Sequence, residues 1–170
     1  MIEIVEVGPR DGLQNEARTL TQEQRLAFIQ HLVGSGLKRV EVGAFVSPKW
    51  VPQMAGSLEL IQKLYTRPVP KGVRYSALVP NVRGMEDALK TPVPEVAIFG
   101  AASESFSKSN INCSIAESLE RFEGVIRMAR QNKRKKARAA LNEIMTQLAS
   151  DGWQLDGKSG EGWWEYKYHR

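Results

Sequence analysis

Short apolar runs alternate with amphipathic segments over about the first 131 residues of the chain. Runs of this length that are rich in Val and Ile and bounded by Gly or Pro are typical of buried strands. The segments between them carry apolar residues at helical spacing, as in Leu26, Ile29, Leu32 and Val33. The predicted strands are Ile2–Val7, Arg39–Phe45, Tyr75–Val79 and Glu95–Gly100.

The segments between the strands also carry the signals that start and stop helices. A hydroxyl residue followed three positions later by Gln or Glu predicts a capping box, in which each side chain bonds the backbone N–H of the other residue. Glycine after the last apolar position predicts a helix end. The predicted signals are Thr21 with Gln24 and Gly34 for the first helix, Ser57 as the cap of a helix over 58–65, a shorter helix over 84–90, and Ser114 with Glu117 for a helix to about residue 131.

Four strand–helix units in succession predict parallel strands joined by right-handed crossovers. Four such units make half of an eight-stranded barrel, and a complete barrel typically needs about 250 residues. The chain has 170 residues. The predicted fold class is therefore α/β, a partial (β/α) barrel of about four parallel β-α units.

The last 39 residues have a different pattern. A basic run over 133–138 leads into apolar residues at helical spacing, and two aromatic segments, 153–155 and 163–168, then flank a glycine-rich stretch. This predicts a small α+β tail, made of a helix and a hairpin. The predicted domains are residues 1–131 and residues 132–170.

Composition and charge narrow the class of protein. No apolar run is long enough for a membrane helix, and the N-terminus carries acids where a signal peptide would be basic, so we expect a cytoplasmic protein. The single cysteine, Cys113, rules out an internal disulfide. No glycine-rich nucleotide motif is present. The net charge is +5, and the basic tail raises nucleic-acid binding as an option, although a solvated helix face is the favoured explanation.

Candidate chemistry follows directly after the first predicted strand, in the segment GPRDGLQNE. Residues beyond the carboxyl end of a parallel strand lie where such folds build active sites. There Asp11 could offer a carboxylate to a divalent metal, and Arg10 a guanidinium to a developing oxyanion. Glu41 interrupts an apolar strand and needs a partner such as Arg10. A turn with a surface ion pair and a plain edge-strand glutamate are the alternatives.

Four segments of the chain resemble the N-terminal half of hydroxymethylglutaryl-CoA lyases. They are VEVGPRDGLQNE, VEVGAFVSPKWVPQMA, LVPNVRG and VAIFGAASESFSKSNINCSIAESLERF, in that order. The resemblance covers about residues 1–131 and implies a metal-dependent TIM-barrel enzyme. Condensing relatives share the Arg-Asp-Gly-x-Gln core, whereas the longer phrases narrow the resemblance to the lyase.

The resemblance implies cleavage of 3-hydroxy-3-methylglutaryl-CoA, an acyl-CoA substrate, to acetyl-CoA and acetoacetate with Mg²⁺ or Mn²⁺. It implies that Asp11 is a metal ligand and that Arg10 stabilises the enolate oxygen. Glu41 would hold that arginine and the metal surroundings, and Gln14 would be a polar support.

The chain also departs from the family pattern. The family has a His-x-His pair of metal ligands late in the barrel, whereas this chain contains only His31 and His169. We therefore expect a truncated lyase that is impaired as it stands. The alternatives are a non-catalytic half-barrel interaction module and an acyl-CoA-binding module. A homo-oligomer or a complementing chain is expected to cover the open half-barrel.

Overall fold

The computed structural model describes residues 3–132, 154–156 and 167–169. The first of these ranges contains four strands and five α-helices, which alternate up to the last strand, and two helices follow that strand. A π-helical turn, Gly8–Gly12, follows the first strand, and a short 3-10 helix, Pro52–Met54, precedes the second α-helix. The elements are β1 Val5–Glu6, α1 Gln22–Gly34, β2 Arg39–Ala44, α2 Ser57–Leu64, β3 Arg74–Leu78, α3 Val82–Leu89, β4 Glu95–Ala97, α4 Glu104–Ile111 and α5 Ile115–Gln131.

The four strands form one parallel sheet in the order β1-β2-β3-β4. Val5 pairs with Arg39 and Ser76 pairs with Glu95, so each strand lies beside the next one in the chain. This order is what right-handed crossovers between consecutive strands produce. The predicted α/β class with four parallel β-α units is therefore confirmed.

The main core lies between this sheet and its helices. Residues Val40 to Phe45 are all buried, which is typical of a parallel strand covered on both faces. Apolar side chains from α1, α2, α3 and α5 complete the core. Its fully buried members include Ile29, Val42, Leu60, Ile61, Ala77, Val79, Met85, Val93 and Val125.

Both predicted capping boxes are present. The Thr21 hydroxyl accepts a hydrogen bond from the Gln24 backbone N–H, and the Gln24 side chain accepts one from Thr21. Ser114 and Glu117 make the same reciprocal pair at the start of α5. These bonds satisfy backbone N–H groups that have no partner within the helix.

The prediction that Ser57 caps α2 is wrong. Ser57 is the first helical residue and Gly56 precedes it with a φ of 70°. The Ser57 hydroxyl donates to the Met54 carbonyl at 2.7 Å and accepts from the Ala44 N–H at 3.3 Å. The side chain therefore joins the end of β2 to the turn before α2 and cannot also cap the helix.

Several boundaries differ from the prediction. β1 and β4 are shorter than predicted, because the π-helical turn starts at Gly8 and β4 pairs only as far as Ala97. α3 starts at Val82, capped by Asn81, whose side chain accepts from the Gly84 N–H at 3.0 Å. Helix α4 was not predicted, because its polar sequence ESFSKSNI has little apolar periodicity.

Two short strands lie in the C-terminal segment. β5, Gln154–Asp156, and β6, Lys167–His169, are antiparallel, with Leu155 opposite Tyr168. Antiparallel pairing is what the predicted hairpin requires, although the strands start and end at other residues. The predicted helix of the tail lies outside the described residues.

We predict that Gly84→Ala lowers the free energy of unfolding by about 1–2 kcal/mol, since overpacking exceeds the gain in helix propensity. A Cβ at this position would lie 2.6 Å from the Phe45 carbonyl oxygen and 3.2 Å from Pro80 Cδ. Gly34→Ala is the matched control, because nothing lies within 4 Å of its Cβ position. Chemical denaturation measures both variants, and equal stabilities would contradict the close packing of α3 on the β2 loop.

Candidate active site

A cavity of about 610 Å³ lies at the carboxyl end of the sheet. Cavities of this size hold small-molecule ligands in many proteins. The segments that follow all four strands contribute to its wall, as expected for the ligand-binding edge of a parallel sheet. The lining residues are Arg10, Asp11, Gln14, Asn15, Val46, Val51, Leu78, Pro80, Asn81, Phe99, Phe106, Asn110, Ile111, Ser118, Arg121 and Phe122.

The π-helical turn brings Arg10 and Asp11 to this cavity. The Val7 carbonyl accepts hydrogen bonds from the backbone N–H groups of both residues, at 3.0 and 2.7 Å. Pro9 is buried within the turn. The chain therefore reverses immediately after β1 and presents two charged side chains in succession. Such π turns occur frequently at functional sites.

Glu41 reaches the same region from β2, where the pairing with β3 is irregular. Glu41 pairs with Ser76 and Gly43 pairs with Ala77, so Val42 is an extra residue on β2. A bulge of this kind re-aims side chains and is common beside active sites. Glu41 is only 5% exposed.

Arg10 lies between two carboxylates. Its Nε donates to Glu41 Oε1, and its Nη1 donates to Asp11 Oδ1 at 2.7 Å. The Glu41 side chain is buried and the Asp11 side chain is 55% exposed. Because a guanidinium has five N–H donors, this arrangement fixes the orientation of Arg10 and leaves donors for a ligand.

The described residues do not form a complete metal site by themselves. Asp11 offers an exposed carboxylate at the cavity, whereas Glu41 is engaged by Arg10. No group of three or more His, Cys, Asp or Glu side chains that could hold a metal ion occurs within residues 3–132. Hard cations take six or more ligands, mostly oxygens, so this set is incomplete.

The wall of the cavity on the β3 and β4 side was not predicted from the sequence. Asn81 follows the predicted third strand, which ends at Val79, so the rule about carboxyl ends would have indicated it. Phe99 falls inside the predicted fourth strand, and only the shorter β4 of the structure places it beyond a strand end. Phe106 of α4 and Arg121 of α5 carry no sequence signal of this kind. Phe99 is 39% and Phe106 is 51% exposed, so apolar ring surface faces the solvent at the cavity.

A buried arginine on α1 holds the segment after β2, which contributes Val46 and Val51 to the cavity wall. Arg25 is 2% exposed, and its Nη1 donates to the Ala55 carbonyl at 2.9 Å. Its Nη2 lies 3.4 Å from Ser57 Oγ. Burial lowers the pKa of Arg25, because the charged form loses its hydration. Arg25 forms no ion pair within the described part of the chain.

Comparison with known proteins identifies the family. The family model described as HMGL-like matches residues 1–150, and the chain therefore belongs to this family. The chain is 54% identical over 132 residues to the 3-hydroxy-3-isohexenylglutaryl-CoA/hydroxy-methylglutaryl-CoA lyase of Pseudomonas aeruginosa, covering 78% of this chain and 43% of that protein. It is 55% identical over 130 residues to the hydroxymethylglutaryl-CoA lyase of Pseudomonas mevalonii, covering 76% and 42%.

Solved structures agree with this assignment. The hydroxymethylglutaryl-CoA lyase of P. aeruginosa superimposes with a TM-score of 0.73 at 52% identity, over 81% of this chain and 44% of that one. An HMG-CoA lyase of Acinetobacter baumannii, in complex with coenzyme A and 3-methylmalate, gives a TM-score of 0.69 at 28% identity, over 76% and 41%. The chain spans about two fifths of the length of these relatives. Its four β-α units therefore correspond to a part of the TIM barrel of these lyases.

The structure brings together the residues singled out from the sequence. Arg10, Asp11 and Gln14 line one cavity, and Glu41 lies behind Arg10 as its partner. Their roles in binding and catalysis remain predictions. His31 lies on the exposed side of α1, as expected for an ordinary helix residue.

We predict that the Arg10–Glu41 pair couples by about 1.5–3 kcal/mol in a double-mutant cycle with Arg10→Met and Glu41→Gln, because removing one partner leaves the other charge buried. The Asp87–Lys90 pair is the control. It has an N–O distance of 2.6 Å, but its side chains are 44% and 63% exposed. Denaturation should give about 0.2–0.5 kcal/mol for this exposed pair. Equal coupling energies for the two pairs would contradict the view that burial strengthens the Arg10–Glu41 interaction.

Proposed function

We propose that this chain carries the arginine–aspartate part of a lyase site that cleaves 3-hydroxy-3-methylglutaryl-CoA to acetyl-CoA and acetoacetate. The observation that supports this most is the position of Arg10. Its guanidinium forms ion pairs with Glu41 and Asp11 at a cavity large enough for a small-molecule ligand. The chain also belongs to the HMGL-like family.

In this proposal Arg10 is the catalytic group for the oxygen that becomes negative when the carbon–carbon bond breaks. A fixed N–H donor stabilises such an oxygen without having to reorient during the reaction. Glu41 does not line the cavity and bonds Arg10 from behind, so it is a positioning residue. Gln14 lines the cavity beside Asp11 and would support the ligand with its amide.

Asp11 is the proposed ligand of a divalent cation, Mg²⁺ or Mn²⁺. Such a cation, when bound, polarises hydroxyl and carboxylate oxygens as a Lewis acid. The Arg10–Asp11 hydrogen bond would hold the Asp11 carboxylate in place at the cavity. Because the set within residues 3–132 is incomplete, the proposal needs further ligands from other residues or from another chain.

The proposed ligand class is an acyl-CoA thioester. The cavity has a polar corner at Arg10, Asp11 and Gln14, and an apolar wall that includes Leu78 and Phe99. This division fits a ligand with a polar reacting end and an apolar stretch. The A. baumannii relative was solved with coenzyme A, which agrees with this class.

A second candidate role is a non-catalytic half-barrel that acts as an interaction or acyl-CoA-binding module. The described sheet has two open edges, at β1 and β4. Ile4 is 67% exposed and Val5 is 42% exposed on the β1 edge. Unpaired strand edges with apolar side chains favour pairing with another chain. A second copy or a complementing chain would cover these edges.

The cytoplasmic location stays part of the proposal. The names of mammalian relatives include a cytoplasmic lyase of Rattus norvegicus and a mitochondrial lyase of Bos taurus. In the part of the chain that the structure describes, no helix has the length and apolar character needed to cross a bilayer.

We predict that the purified chain cleaves 3-hydroxy-3-methylglutaryl-CoA slowly in the presence of Mg²⁺, and that Asp11→Asn lowers the rate by about 100-fold by weakening cation binding. Acetoacetate formation is the measurement. Glu16→Gln is the control, because Glu16 is exposed in the same segment and does not line the cavity. Absence of turnover in a folded sample would contradict catalysis by this chain alone and would favour the binding module.

We also predict that the mass of the chain in solution rises with concentration, because association covers the β1 edge. Val5→Lys should shift sedimentation towards the monomer, since a charge at this edge opposes strand pairing. Ala27→Lys is the control, as it adds the same charge on the exposed side of α1. A concentration-independent monomer would contradict the proposed association.

A further inference from the structure

Arg121 is a second cationic group at the cavity, and the proposed reaction does not use it. It lies in the second turn of α5 and lines the cavity together with its neighbour Phe122. α5 packs against α3 and α4, and Phe122 lies beside Gly100, just after β4. β1 and β4 are three strand spacings apart, about 14 Å. Arg121 therefore belongs to the β4 side of the cavity, whereas Arg10 follows β1 at the other edge of the sheet.

The charge of Arg121 is not neutralised by an ion pair within residues 3–132. Glu117, one helical turn earlier, is the nearest acid in sequence on the same face. Its carboxylate instead accepts hydrogen bonds from the Ser114 N–H at 2.7 Å and the Ser114 hydroxyl at 2.9 Å. These bonds lower the pKa of Glu117 more than Arg121 does. Arg10, in contrast, is engaged by two carboxylates.

The Arg121 guanidinium is held at the end of α4. Its Nη1 donates to the Ile111 carbonyl at 3.3 Å, next to Asn110, which also lines the cavity. This hydrogen bond is exposed to solvent, and its neutral acceptor leaves the charge of the guanidinium uncancelled and four further N–H donors available. The lining also includes the apolar side chain of Leu78 and the exposed rings of Phe99 and Phe106.

We infer that Arg121 binds an anionic group of the acyl-CoA ligand, a phosphate or a carboxylate, on the β4 side of the cavity. This inference rests on the proposed function, because the proposed ligand supplies both kinds of anion. A guanidinium matches the geometry of carboxylate and phosphate oxygens and is the side chain best suited to hold them. If that group is a phosphate, Arg121 would fix the ligand at a distance from Arg10 and Asp11, so that the ligand spans the apolar wall.

Isothermal titration calorimetry of the full chain tests this inference with three probes. They are coenzyme A, 3-hydroxy-3-methylglutaryl-CoA, and the pantetheine thioester of 3-hydroxy-3-methylglutaric acid, which carries the carboxylate but no phosphate. Loss of a charged hydrogen bond in Arg121→Gln should weaken binding by about 10-fold or more. If the anion is a phosphate, the two CoA probes weaken and the pantetheine thioester does not. If it is the carboxylate, both thioesters weaken and coenzyme A does not.

Arg127→Gln is the matched control, because Arg127 is exposed on α5 and does not line the cavity. Arg121→Lys keeps the charge and should retain more affinity than Arg121→Gln. If Arg121→Gln does not fold, the affinity of Arg121→Lys is compared with that of the unsubstituted chain, and an unchanged affinity contradicts the inference. If Arg121→Gln binds the probes within twofold of the unsubstituted chain, or if Arg127→Gln loses as much affinity, the inference about Arg121 is wrong. The proposed function is not affected by that outcome. An unsubstituted chain that binds none of the probes would overturn the proposed ligand class as well.

Discussion

The ion pair between Arg10 and Glu41 is the interaction on which this site depends. Glu41 lies in a strand that is buried on both faces, and a buried carboxylate is costly unless a cation and hydrogen bonds compensate it. Arg10 provides this only because the chain turns at Gly8–Gly12, immediately after β1. One contact therefore both compensates the buried charge of Glu41 and orients the candidate catalytic group. Asp11 is the next residue, so the same turn also places its carboxylate.

Charged side chains have different surroundings at the two ends of the sheet. At the amino end, Arg39 bonds Glu3 at 2.7 Å and Glu95 at 2.5 Å, and so joins β2 to the β1 and β4 sides of the sheet. No cavity residue takes part in this network. At the carboxyl end, charged side chains face a cavity. In (β/α) barrels the amino end serves stability and the carboxyl end serves function. The described sheet has its ion-pair network at the amino end and its cavity at the carboxyl end, as this division predicts.

The cavity wall is held from outside the sheet. Arg25 of α1 bonds the turn at Ala55 and Ser57, and Ser57 in turn bonds the end of β2. Polar side chains on helices thus fix the segment that carries Val46 and Val51. These contacts all lie within the part of the lyase relatives, about two fifths of their length, that the chain spans. They are compatible with both roles proposed above, catalysis and ligand binding.

Local pattern was enough to predict the four parallel strand–helix units and both capping boxes, because strand runs and caps depend on neighbouring residues. It also indicated Arg10, Asp11 and Glu41, since charges at strand ends stand out against apolar runs. Only the tertiary structure showed the bulge at Val42, the role of Ser57 as a link and the place of Arg121 at the cavity. These features depend on contacts between residues that are far apart in the chain, and such contacts leave no periodic signal in the sequence.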